Sequence, residues 1–168
     1  MRSLTKEILI QKLRYDFDTG IFTWIVDIKD GRTKHGMHAG HLDKHDGYIK
    51  IKFNGKRYKA QYLAWLYYYG EFPPFCLLID HINTVRHDNR IANLRLATYQ
   101  QNCANARTRK DNSTGYKGVT YLKKQKKWRA QIHFNGKNFG LGCFASPDAA
   151  HAAYMASAIK YFGEFARF

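Results

Sequence analysis

Along the chain the hydrophobic positions change period several times, and the changes mark out its elements. Leu4, Ile8, Leu9 and Leu13 recur at helical spacing, which predicts a short amphipathic helix over 4–13. Next comes an aromatic-rich stretch, with a turn at Asp18-Thr19-Gly20 leading into a strand that ends near Trp24. From Gly47 to Phe53 apolar and basic residues alternate, and Asn54-Gly55 follows. That pattern predicts a hairpin, and because the return strand carries Lys56, Arg57 and Lys59, one of its faces is basic. Residues 60–69 are crowded with Leu, Trp and Tyr and read as a buried helix that ends at Gly70. Past Pro73-Pro74, the run Leu77-Leu78-Ile79 is short enough to be one buried strand, which presents Asp80 and His81 at its end. Thr98 and the polar residues after it predict the opening of another helix.

The stretch 105–114 is polar, basic and without periodicity, so a linker and a domain boundary belong there. Three strands are expected beyond it, over 115–121, 127–134 and 137–144, with Asn135-Gly136 closing a hairpin between the last two. Ser146-Pro147-Asp148 then starts a helix with a cap, a Pro at the first helical position and an acid near the N-terminus. Its inner face is Ala150, Ala153, Tyr154, Ser157, Ala158 and Tyr161, and Gly163 ends it. In the second of these strands Trp128, Ala130 and Ile132 alternate with Arg129, Gln131 and His133. The apolar set should pack on the helix and leave the polar set facing outward.

Composition narrows what such a chain can do. Its 168 residues suffice for one ordinary domain or two small ones, and 45% hydrophobic with 15% aromatic residues indicates folded protein. A formal charge of +15 and a pI near 9.8 point to a polyanionic partner. Nucleic acid suits it best, because phosphate contacts and counterion release turn Lys and Arg into affinity. No basic amphipathic helix, signal peptide or apolar run of spanning length argues for a membrane. The three cysteines, Cys76, Cys103 and Cys143, are far apart and form no Cys-x-x-Cys pair, so neither a disulfide framework nor a zinc knuckle is expected and a reducing cytoplasm is the natural setting. His35, His38, His41 and His45 lie among Gly, Lys and Asp and read as exposed loop histidines, not zinc ligands.

Candidate chemistry is concentrated between residues 78 and 102. Asp80, His81, Asn93 and Asn102 supply a carboxylate, an imidazole and two amides. Any one of them alone reads as a cap, a turn or a partly buried polar residue. Together, in this order, they are a parts list for phosphodiester hydrolysis with a hard cation such as Mg²⁺. Oxygen ligands hold the ion, and a neutral imidazole takes a proton from water. Asp88 and Asn89 read as turn-forming residues, and His87 as an exposed loop residue and the main rival to His81 for the role of base.

Ile79-Asp80-His81-Ile82-Asn83, then Asp88-Asn89-Arg90-Ile91-Ala92-Asn93-Leu94-Arg95, then Thr98 and Gln101-Asn102 closely resemble the HNH endonuclease signature of phage-type homing nucleases. The resemblance implies that Asp80 and Asn102 hold one divalent ion, that His81 is the general base, and that Asn93 orients the imidazole. Arg86 and Arg90, between His81 and Asn93, are candidates to clamp the DNA backbone. Two positions depart from the family's usual pattern. Thr84 stands where relatives usually have Gly, and Ala60-Gln61-Tyr62-Leu63-Ala64-Trp65 stands where they usually have Ala-His-Arg-Leu-Ala-Trp.

The second half resembles the ethylene-response-factor (APETALA-type) DNA-binding domain, through Tyr116-Lys117-Gly118-Val119, Trp128, Ala130, Ile132, Leu141-Gly142, Phe144, Ala149-Ala150, Tyr154 and Gly163. That likeness implies a sheet laid in the major groove. Arg129, Gln131 and His133 are then the base-contact candidates, with Lys123, Lys124, Lys126, Lys127 and Lys137 on phosphates and Arg107 and Arg109 following the backbone from the linker. A polar residue near Gln125 stands where plant relatives usually place a base-contacting Trp, so no target sequence carries over.

The expected architecture is α+β, a ββα-metal HNH nuclease domain over 1–106 with its core at about 76–106, a basic linker over 107–114, and an APETALA-type domain over 115–168 built as a three-stranded antiparallel sheet packed on one helix. The expected function is a metal-dependent endonuclease cutting double-stranded DNA, a homing enzyme of a phage or mobile element working in the host cytoplasm. Its cofactor would be Mg²⁺ or Mn²⁺, without zinc, and no obligate protein partner is evident. The alternative is a catalytically inactive, sequence-specific DNA-binding regulator of the same fold. An RNA-binding module fits the charge but has no use for Asp80 and His81 together.

Overall fold

A computed structural model of the protein describes residues 4–28, 33–109 and 111–168; Lys110, in the expected linker, lies outside them. Packing divides the chain into two units, Met1–Ala97 and Thr98–Phe168, each a mixture of helices and small antiparallel sheets.

The first unit opens with helix α1 (Lys6–Ile10) and strands β1 (Leu13–Tyr15) and β2 (Phe22–Trp24). The expected helix over 4–13 is therefore shorter, because Leu13 pairs with Trp24 across the β1–β2 hairpin. Leu9 and Leu13 are both fully buried, so helical spacing and strand pairing serve the same core. Strands β3 (His41–Leu42), β4 (Ile49–Phe53) and β5 (Lys56–Lys59) form a second sheet. Between β4 and β5, Asn54 and Gly55 both take positive φ, 47° and 82°, as the Asn-Gly pair predicts. Helix α2 (Ala60–Tyr69) follows and is stopped by Gly70, whose left-handed φ of 86° lets its N–H reach the Leu66 carbonyl. Leu63, Ala64 and Leu66 of α2 pack with Leu9, Leu13, Phe22, Ile51 and Phe53 into the main core. Against this body lies the pair β6 (Leu78–His81) and β7 (Leu94–Ala97), whose Ile79 and Leu94 join the same core.

The second unit contains helix α3 (Tyr99–Asn105), strands β8 (Val119–Leu122), β9 (Lys127–Phe134) and β10 (Lys137–Phe144), and helix α4 (Pro147–Phe162). Thr98 caps α3 with a complete capping box, its hydroxyl accepting from the Gln101 N–H while the Gln101 side chain accepts from the Thr98 N–H. The packing boundary falls before α3, whereas the expected first domain ran to residue 106. One physical reason is visible within the unit. The half-buried ammonium of Lys117 donates to the carbonyls of Ala104 and Ala106 at the C-terminal end of α3, where a cation meets the negative end of the helix dipole. Burial pushes that ammonium down to about 8.

The sheet runs in the order β10-β9-β8, and α4 packs across it through Ala150, Tyr154, Ala158 and Phe162, one residue per turn. The first expected strand starts late, at Val119. Gly115 and Gly118 both take positive φ, and a Cβ on Gly118 would lie 2.2 Å from the Tyr154 ring. Only glycine lets the chain turn there under the helix.

Candidate active site

β6 carries Asp80 and His81 into the protein, where they are 5% and 4% exposed. The register of the β6–β7 pair sets Asp80 opposite Arg95 and His81 opposite Leu94. Arg95 Nε lies 3.0 Å from Asp80 Oδ2 with both side chains largely buried, so the carboxylate is held by a charged partner and not left alone in low dielectric.

The imidazole is fixed by a residue that the sequence presents only as a turn former. Asn89 is 2% exposed, and its Oδ1 lies 3.3 Å from His81 Nε2. The same amide donates through Nδ2 to the His87 carbonyl at 3.2 Å, which decides its orientation. With the NH₂ turned to His87, the oxygen faces His81, so Nε2 carries the hydrogen and Nδ1 carries the lone pair. Burial holds the His81 pKa below its ordinary value of 6.5, with the Asn89 contact opposing it more weakly. The ring is therefore neutral near pH 7, as a base must be.

Asn89 is itself braced from the far end of the chain. Tyr15 donates its buried hydroxyl to the Asn89 carbonyl at 2.6 Å. Gly20, at the β1–β2 turn, approaches so closely that a Cβ there would lie 2.4 Å from the Arg90 nitrogen. Burial pushes the Tyr15 phenol well above its usual range, so it stays a donor. Nothing in the local sequence announces this bridge across 74 positions; only the buried-strand character of Tyr15 hints at it.

Asn93, expected to orient the imidazole, has its amide bound to the loop between β6 and β7. Its Nδ2 donates to Asn83 Oδ1 at 3.0 Å and to the Asp88 carbonyl at 2.8 Å, and its Oδ1 accepts from the Asn83 N–H at 3.0 Å. Asn93 thus shapes the loop that delivers Asn89. In that loop Thr84 takes φ 63°, the left-handed region that a glycine would occupy freely. Arg90 is drawn onto Asp88 by two contacts, Nε to Oδ1 at 2.8 Å and Nη2 to Oδ2 at 2.6 Å, which pull the Asp88 carboxyl down to about 2. Arg86 extends the other way, donating to the Asp46 carbonyl at 2.9 Å and lying 5.3 Å from the Tyr48 ring centroid. His87 is exposed, and its carbonyl, not its ring, enters the site.

A family model described as HNH endonuclease matches residues 58–104. Protein 3.8 of Escherichia phage T7 is 34% identical over 92 residues, which is 54% of this chain and 74% of that protein. The chain carries an HNH endonuclease domain at residues 58–104. An uncharacterized HNH endonuclease of Acanthamoeba polyphaga mimivirus is 31% identical over 112 residues, covering 67% of this chain and 57% of that one. No solved structure matches the chain.

The HNH match runs through α2, β6, β7 and most of α3, so it includes all four residues of the expected site. Asn102 lies in the second packing unit, half-buried on α3, with its N–H on the Thr98 carbonyl. Gln61, in α2, is 2% exposed, and its Oε1 finds no hydrogen-bond partner among the described residues. Asp80 is one hard oxygen donor in a water-poor setting. That donor set suits Mg²⁺, which takes one or two carboxylates and completes its shell with water and phosphate oxygens. Among the described residues no three His, Cys, Asp or Glu side chains gather as a metal cluster, and Cys76, Cys103 and Cys143 are free and exposed.

In the second unit the outward set of β9 emerges as the alternation predicts. Arg129 and His133 are exposed and Gln131 half-buried, against buried Ala130 and Ile132 and half-buried Trp128. His133 is partnered through Nδ1 with Asn138 Oδ1 at 2.9 Å on the neighbouring strand. Lys123, Lys124, Lys126, Lys127 and Lys137 are exposed, Lys126 at φ 51° in the turn before β9, and Arg107 and Arg109 are exposed after α3. No described helix is long and apolar enough to cross a membrane.

Proposed function

We propose that this HNH protein is a metal-dependent endonuclease that hydrolyses phosphodiester bonds in double-stranded DNA, acting as a homing enzyme of a phage or similar mobile element in the host cytoplasm. The observation that carries this reading is His81, buried, neutral and turned by Asn89 so that Nδ1 is the basic nitrogen. In the reaction His81 accepts the proton of the attacking water at Nδ1, while Asn89 holds Nε2–H and stabilises the imidazolium that forms. Asp80 is the carboxylate ligand of a divalent ion, Mg²⁺ or Mn²⁺, and the HNH signature adds Asn102. When bound, such an ion supplies charge stabilisation at the scissile phosphate and the leaving oxygen. Arg95 keeps the Asp80 carboxylate in place, and Arg86 holds the DNA backbone.

Residues 115–168 act as an APETALA-type reader, with Arg129, Gln131 and His133 towards base edges and the lysines around β9 on phosphates. The stretch 107–114 tethers the reader to the HNH domain, raising the concentration of nuclease at its site. One hydrolytic site per chain cuts one strand per encounter, so a monomer nicks.

The test is incubation of supercoiled plasmid carrying the protein's own flanking DNA with Mg²⁺, with Mn²⁺ and with EDTA. Nicked product that requires the metal supports the proposal. Intact plasmid in every lane alongside a salt-sensitive gel shift favours the inactive DNA-binding regulator, for which Gln61 would be the first position to restore to His.

A further inference from the structure

The β4–β5 hairpin carries an arrangement that neither the HNH chemistry nor the reader accounts for. On its outward face Lys50 stands directly opposite Lys59, and Lys52 directly opposite Arg57. Like charges facing each other across a sheet destabilise it. The inward positions, Ile51 and Phe53, are fully buried, so the register cannot slip to relieve the repulsion without exposing the core.

Among the described residues, Lys50 alone of the four cations has acidic partners. Lys50 is bound by Asp43 and Asp46, at 2.5 and 2.9 Å. Lys59 instead lies on the Tyr48 ring, 3.8 Å from its centroid, and Arg86 approaches the same ring at 5.3 Å. Burial lowers the Lys59 pKa, opposed by the charge of Asp46, with the charges of Lys50 and Arg86 adding smaller pushes downward. Its ammonium is therefore partly stripped of water beside other cations, which a solvated surface lysine avoids. Tyr48 in turn lies 5.9 Å, ring to ring, from His81. Near the hairpin, Lys12, Lys50 and Lys52 share the wall of a cleft of about 480 Å³ with His38 and His41.

We propose that the outward face of β4–β5, continued through Tyr48 and Arg86, is a second DNA-docking surface that binds successive backbone phosphates of the duplex and leads the strand to His81. The occupant is double-stranded DNA, because the face offers a row of cations with fixed spacing and a ring that holds two of them in place. This rests on the nuclease reading for what lies at the end of the track, but not for the binding itself. Cations without carboxylate partners are those that gain most from phosphate, with release of counterions from the duplex.

The experiment uses the full chain in EDTA, where no cleavage intervenes, and measures affinity for a short duplex over a series of salt concentrations. The Lys52→Gln/Arg57→Gln variant removes two exposed cations without touching the core. The slope of log affinity against log salt should flatten by about 2, with affinity at moderate salt falling at least about tenfold. Lys160→Gln, at an exposed position of helix α4, is the control and should leave the slope unchanged. Wild-type slope and affinity in the double variant, or an equal change in the control, overturns the proposal. Failure of wild type to cut DNA in Mg²⁺ would sink the nuclease reading while leaving this binding result to stand or fall separately.

Discussion

The site around His81 and the outward face of β9 are built in opposite ways. Asp80, His81 and Asn89 are almost wholly buried, and each is fixed by a named bond, to Arg95, to Asn89 and to the His87 carbonyl. Arg129 and His133 stand in solvent on one strand, turned outward by the alternation that buries Ala130 and Ile132, with His133 also held by Asn138 on the neighbouring strand. Burial makes a base neutral and fixes its tautomer, at the cost of a network in which every polar group needs a partner. Exposure leaves cations mobile and hydrated until an anion arrives. Damage to the first should therefore appear in turnover, and damage to the second in affinity.

The largest separation should come from Asn89→Leu, which keeps the backbone carbonyl that Tyr15 binds but removes the amide from His81. Cleavage at saturating DNA should fall about a hundredfold, on the scale of losing the group that orients a reactive histidine, while DNA affinity in EDTA changes little. Equal losses in both would mean that Asn89 only supports the fold. Arg129→Ala should give the reverse. Affinity for the cognate duplex falls about tenfold, as for loss of a base-edge contact, and the rate at saturation is kept. A fall in the saturated rate with unchanged affinity would remove β9 from the reading role.

Much of this division is legible in the sequence, and the parts that are not have a common cause. The Asn54-Gly55 and Asn135-Gly136 turns, the Gly70 stop, the Thr98 cap and the alternation along β9 are local rules, and the structure follows them. Asp80-His81 at the end of a buried strand is local too. What the sequence conceals depends on distant partners. Leu13 leaves its helix to pair with Trp24. Asn89 looks like a turn residue because half of its amide does bond the neighbouring backbone at His87, and only the fold brings His81 to the other half. Lys117 gathers α3 into the second packing unit from thirteen positions away.

Thr84 sharpens the contrast from the side of stability. Its φ of 63° strains a β-branched residue in the loop that shapes the site. Thr84→Gly should stabilise the protein by roughly 0.5–1 kcal/mol in denaturant titration, and a loss of stability would show that the threonine side chain outweighs the strain. The smallest effect concerns Asp88. Its carboxyl is held near 2 by Arg90, with Asn83 assisting, against an ordinary 3.8. A depressed carboxyl contributes stability above its unfolded pKa and loses it as pH falls towards the folded one. Wild type should therefore lose stability between about pH 4 and pH 2 by more than Asp88→Asn does, in thermal melts across that range, and parallel curves would contradict it.

The most direct test of the central claim is a single-turnover comparison of His81→Ala with wild type on the same duplex in Mg²⁺, with binding measured in parallel in EDTA. If His81 is the base, cleavage falls by at least about a hundredfold and binding is kept. His81→Ala cutting at the wild-type rate would show that another group takes the proton, and the buried imidazole would then be a structural residue.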